Sequence, residues 1–134
     1  MNKNTILWLA IPFMVCFFAV GIPYWQIPYS GVSLPDALYE VGLLVVVIAA
    51  AVSRAFGNVR FRTAVLLIGA SVPAAIFIRV AVEATMDPTS HNLWPFEIII
   101  AAVVGVFCSL AGALAGSVLR YFTRRGEGVS KDAR

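Results

Sequence analysis

The chain has 134 residues, 60% of them hydrophobic and only 13% charged, with a formal net charge of +3. A soluble domain carries about a quarter charged residues, and a core of this size cannot hide so much apolar surface. The composition therefore excludes a water-soluble globular fold and points to an integral membrane protein of one domain. The basic residues stand in short clusters beside apolar runs and form no continuous patch, which argues against nucleic acid as a partner and marks them as topology determinants.

The first run, residues 6–22, reads ILWLAIPFMVCFFAVGI and predicts a membrane-spanning helix that Pro12 bends without ending. A cleaved signal peptide is the rival reading, with Ala19 and Gly21 as the small residues of a cleavage site. The apolar stretch is longer than such peptides have, and the head, with Lys3, is less basic. The next segment has no lysine or arginine and carries Ile-Pro-Tyr twice, beginning at Ile22 and at Ile27. Pro23 and Pro28 predict an irregular backbone there. Tyr24, Trp25 and Tyr29 suit the headgroup layer as an aromatic belt, in preference to a binding platform, and Trp94 and Phe96 are their counterparts in the second outer loop.

The second span is expected over residues 34–54, with Ser33 as cap, Pro35 in the first turn and Asp36 at the positive dipole end. Its fully apolar part, residues 41–52, is short of crossing length unless the stretch carrying Asp36 and Glu40 is included. A connection follows with Arg54, Arg60 and Arg62, turning at Gly57-Asn58. The third span, residues 63–84, has Pro73 at its middle and predicts a kinked helix. Arg79 and Glu83 stand near its far end at the i,i+4 spacing that lets side chains meet. Asp87-Pro88 ends it.

The fourth span, residues 96–119, begins with Pro95 and Glu97 at its positive dipole end. At 3.6 residues per turn, Ala101, Gly105, Ser109, Gly112 and Gly116 fall on one narrow stripe, with Val103, Val106, Phe107, Leu110 and Leu114 opposite. The small residues include a GxxxG spacing and predict a helix-packing surface for a neighbour, a second copy or a partner. Residues 120–134 form a basic tail, polar and expected to be disordered.

The fold class expected is therefore all-α: an integral membrane four-helix bundle with short loops. Arginines in the middle connection and at Arg120, Arg124 and Arg125 place both termini inside, in the cytoplasm, for a bacterial-type inner (plasma) membrane. If the first span were cleaved, three crossings would remain in the same orientation.

Four ionisable residues share the outer level of the spans: Glu40, Arg79, Glu83 and Glu97. Charges at membrane depth are functional candidates, with Arg79 expected to pair with Glu83 or with Glu40 across helices. The competing use is a plain salt bridge, or snorkelling to the headgroups. His91 is the one histidine, with no cysteine or second histidine on its side, so no metal, haem or other cofactor is expected. No nucleophile, nucleotide-binding or metalloprotease motif occurs, and no acid sits in the middle of any span, so no enzyme is expected.

Two families of small four-helix membrane proteins bear comparison. The small multidrug-resistance transporters carry a glutamate in the first helix, whereas residues 6–22 hold no charge. Residues 112–121, GALAGSVLRY, look locally like the glycine-rich run of fluoride channels, but there the run lies at the chain start, and the filter pattern of the third helix is absent here. No family is assigned. The function expected is a non-enzymatic structural, accessory or regulatory subunit, its partners being the lipid bilayer and a second copy or another membrane protein. A small oligomeric channel or transporter with a charged vestibule is the alternative, and a holin-like pore a more distant one.

Overall fold

A computed structural model describes residues 3–27, 41–57, 59–86 and 94–132. Within them the chain is all-helical: α1 (Lys3–Gln26), α2 (Val41–Phe56), α3 (Phe61–Gly69), α4 (Ser71–Met86) and α5 (Trp94–Asp132). Three stretches are long and apolar enough to cross a membrane: Thr5–Gln26, Phe61–Thr85 and Trp94–Arg125. The second joins α3 to α4. With 16 residues, α2 reaches only about 24 Å at 1.5 Å per residue, against a hydrocarbon core of roughly 30 Å. The start expected for it at residue 34, with Asp36 and Glu40, lies outside the described residues.

Helix α5 packs most extensively on α2 and also on α3 and α4, while α1 lies against α2 and α4. Large apolar side chains stand exposed on every helix, among them Ile11, Leu44, Leu66, Phe77 and Phe107. The enclosed core includes Val46, Ala50, Ile68, Val72, Ala75 and Ile76, with Tyr24 the largest side chain in it. Such a surface, more apolar than the interior requires, fits hydrocarbon surroundings better than water.

Two of the helices differ from the sequence expectation through proline. Pro23 was expected to disrupt the backbone, yet α1 runs through it to Gln26. A proline lacks the N–H that would reach the carbonyl four residues back, here that of Ala19. That oxygen lies against Gly42 of α2, 2.8 Å from where a Cβ would stand. The third span is broken at Ala70, ahead of Pro73, and not at the proline itself. Pro73 acts on the carbonyl of Gly69 in the same way, and this oxygen occupies the place where Gly105 of α5 would carry a Cβ. Each proline thus sets a carbonyl against a glycine of the neighbouring helix, at a close approach that suits Cα–H···O contact. Ser71 supports the break by donating its hydroxyl to the Ile68 carbonyl at 2.6 Å.

The small-residue stripe of α5 continues the pattern. Ala101 and Ser109 are fully buried, and Gly105, Gly112 and Gly116 face inward. The Val47 carbonyl fills the notch at Gly112 and the Ala51 carbonyl that at Gly116, one helical turn along the same face of α2. Between Gly105 and Gly112, the Ser109 hydroxyl lies 2.9 Å from the Val65 carbonyl of α3 and 3.0 Å from Val106 in its own helix, and donates its one proton between them. Opposite, Val103, Val106, Phe107 and Leu114 are exposed. Beyond Arg120, where a disordered tail was expected, the backbone stays helical to Asp132; once nucleated, each further residue adds a hydrogen bond.

Gly112→Leu is expected to destabilise the chain by about 2 kcal/mol or more, because the side chain overlaps the α2 backbone. Leu114→Ala, on the exposed side, should cost far less. Unfolding of both variants in mixed detergent, followed by circular dichroism, checks this; equal losses would show that the glycine face is not a tight contact.

Candidate functional site

Of the ionisable residues singled out in the sequence, Arg79, Glu83 and Glu97 stand at the end of the molecule where α1 and α4 terminate and α5 begins. Arg79 lies on the buried face of α4, at only 6% exposure. An unpaired guanidinium at such depth would be costly, and its nitrogens are directed to protein partners. Nε donates to Glu83 Oε1 at 2.8 Å, the i,i+4 pair expected from the sequence. The two terminal nitrogens cross to α1, donating to the carbonyl of Tyr24 and, at 2.8 Å, to that of Ile27.

Those carbonyls belong to the end of α1, where the last turn of any helix leaves oxygens without an intrahelical partner and carries the negative pole of the dipole. The α1 helix has no basic residue of its own in that turn. The Tyr24 carbonyl accepts only a long 3.4 Å bond from the Ile27 N–H, and Arg79 adds charged donors and the missing positive charge from another helix, as a C-terminal cap delivered in trans. The guanidinium carbon also sits 4.8 Å from the centre of the Tyr24 ring, in cation–π geometry.

Tyr24 is therefore not at the surface, where an aromatic belt would hold it; it is 1% exposed and forms the floor beneath Arg79. Its phenol lies in the electrostatic field of Arg79, Glu83 and Glu97 together, so α5 contributes to the same cluster. Glu97 is half-buried in the first turn of α5, where a carboxylate complements the positive pole. Trp25 is half-buried as well. Its indole N–H donates to the Ala75 carbonyl at 3.0 Å, a second tie between α1 and α4, and its ring lies edge-on to Phe17 at 5.6 Å. Trp94 and Phe96 are exposed at the start of α5, as residues of a headgroup layer would be. Glu40, Tyr29 and His91 lie outside the described residues.

Sequence reasoning found the Arg79–Glu83 pair but missed the carbonyls of Tyr24 and Ile27. The available signal was a lone arginine at the level where α1 runs out of donors. Among the described residues no group of three His, Cys, Asp or Glu side chains is placed to hold a metal ion. Cys16 and Cys108 are free thiols, the first directed at the Val45 carbonyl at 3.9 Å. Chemically, this arrangement fastens helices: three hydrogen bonds and a ring contact converge on one cation.

Compared with known protein families, curated proteins and solved structures, the chain matches none of them. Among the described residues the chain is all-helical, with three helices long and apolar enough to cross a membrane, and its buried arginine ties the end of one helix to another.

If the cap on α1 is the main role of Arg79, Arg79→Met should cost about 2–4 kcal/mol, since two carbonyls and a carboxylate lose a charged donor. Glu83→Gln should cost under about 1 kcal/mol, because Glu83 is 28% exposed and partly screened. Detergent unfolding measures both. Equal losses would assign the clamp to the ion pair in place of the α1 carbonyls.

Proposed function

We propose that the chain is a multi-pass protein of a bacterial-type inner membrane, acting without catalysis as a structural, accessory or regulatory subunit of a membrane complex or homo-oligomer. In this reading α3 and α4 form one broken span, and α2, extended by the residues before it, forms the fourth crossing of a four-helix bundle. The arginines at positions 54, 60, 62, 120, 124 and 125 hold their end, and both termini, in the cytoplasm.

The observation that carries the reading is the commitment of Arg79. A cation in a vestibule or carrier site has donors directed to a passing ligand, whereas each nitrogen of this guanidinium donates to a group of the protein itself. The small-residue stripe is likewise occupied from within by α2 and α3. A partner or second copy then meets another surface, for which the exposed side of α5 around Phe107 is the natural contact.

Purified protein in liposomes is expected to give no ion flux above protein-free vesicles across a broad panel of cations and anions. A photo-crosslinking residue at Phe107 is expected to yield a discrete product with another protein or a second copy in native membranes. A flux that Arg79→Ala alters would transfer the assignment to a small channel or carrier. A reporter active only in the cytoplasm, fused after Arg134, should be active.

A further inference from the structure

Between α1 and α3 the packing leaves a cavity of about 280 Å³, lined by Ile6, Leu9, Ala10 and Phe13 of α1 and by Leu67 of α3. Leu9 is buried and makes the floor, Ile6 and Leu67 are exposed at the rim, and Ala10, also exposed, leaves the space because it carries only a methyl group. Every lining residue is apolar. Water gains nothing there, since a held water needs two to four polar partners. From Ile6 to Phe13 the cavity follows α1 for about 10 Å at 1.5 Å per residue, so its cross-section is well under the roughly 80 Å² of an α-helix about 10 Å across. The shape suits a thin apolar chain and is too narrow for another helix.

One end of this groove has a charge. Residues 6–13 of α1 lie against Leu67, and further along both elements the Tyr24 carbonyl meets Arg79, so α1 and the α3–α4 stretch run side by side in the same direction. Arg60 stands seven residues before Leu67, two helical turns back along the same side and at the level where α1 begins. It is exposed, and among the described residues no hydrogen bond or ion pair holds its side chain, whereas Arg54 and Arg79 are both tied to the protein. A guanidinium at the head of an apolar slot complements a phosphate joined to a hydrocarbon chain.

We infer that the groove between α1 and α3 is a binding site for one acyl chain of an anionic phospholipid, with the chain along Ala10 and the phosphate at Arg60. The assignment rests on the membrane reading above and goes beyond it. Lipid that merely surrounds a protein has no preferred position, whereas this slot holds one chain at one place.

The full chain is reconstituted in phosphatidylcholine liposomes with a small fraction of phosphatidylglycerol carrying a photoactivatable diazirine in its acyl chain, and labelled residues are located by peptide mass spectrometry. Label is expected to concentrate on residues 6–13 and at Leu67, above the level on the exposed Val103 and Leu114 of α5. A10L fills the slot from an exposed position and should cut the label there about tenfold, the cost of overfilling an apolar contact, while leaving that on α5 unchanged. R60Q should cut it about fivefold, the weight of one arginine near a membrane surface. R60K should retain most of it, and added salt should weaken the contribution of Arg60. Circular dichroism should show all three variants as helical as the parent.

Label spread evenly over the exposed apolar residues of α1 and α5 would overturn the inference, as would a groove that takes no label or one whose label is unchanged in A10L. Label lost in A10L but unchanged in R60Q would reassign the groove to an uncharged hydrocarbon. None of these outcomes touches the membrane reading, which fails separately if the protein stays monodisperse in buffer without detergent.

Discussion

The approach of backbone to backbone governs this molecule. Along α5, glycines leave notches, and into them come the carbonyl oxygens of Gly69, Val47 and Ala51. Large side chains do not determine the spacing of the helices here; the oxygens do. In hydrocarbon, with which three of the helices are compatible by length and composition, burying leucine against leucine brings no hydrophobic reward, and contact between helices comes from close van der Waals fit and from polar groups that meet. A helix of small residues laid over exposed carbonyls meets both requirements, and the Ser109 and Ser117 hydroxyls add hydrogen bonds along the same side.

The two ends of the structure spend their arginines differently. Arg79 is enclosed, and its donors go to Glu83 and to the last carbonyls of α1, so its charge completes a helix that lacks a cation of its own. Arg54 is only half-buried, and it ties the end of α2 to the Ser117 hydroxyl of α5 and to the Val59 carbonyl. Trp8, packed against Gly57, brings the beginning of α1 to the same side. Both placements follow from where each helix starts and stops.

Much of this architecture is written in side chains, and that part is legible in the sequence. Helical class, the alignment of Ala101, Gly105, Ser109, Gly112 and Gly116, and the adjacency of Arg79 and Glu83 follow from a fixed helical period. Backbone acceptors leave no mark in the amino-acid alphabet, so the partners of the glycine notches and of Arg79 could not be read. Tyr24 illustrates the limit: an aromatic beside a proline suits a membrane surface, and only a cation arriving from α4 turns it into a buried floor. Pro73 marks a bend, but the residue that breaks is Ala70, because a proline acts on the turn before it. The short α2 was flagged by its twelve-residue apolar core between Val41 and Val52, the same stretch that opens the helix described here.

The cap on α1 also imposes an order in time. A chain leaves the ribosome from its N-terminal side onward, and the guanidinium that donates to the Tyr24 carbonyl lies 55 residues further along. Until α4 has been made, the end of the first helix has only the long Ile27 N–H bond to the Tyr24 carbonyl and whatever surrounds it. Helix α1, made before α4, is therefore finished only after it.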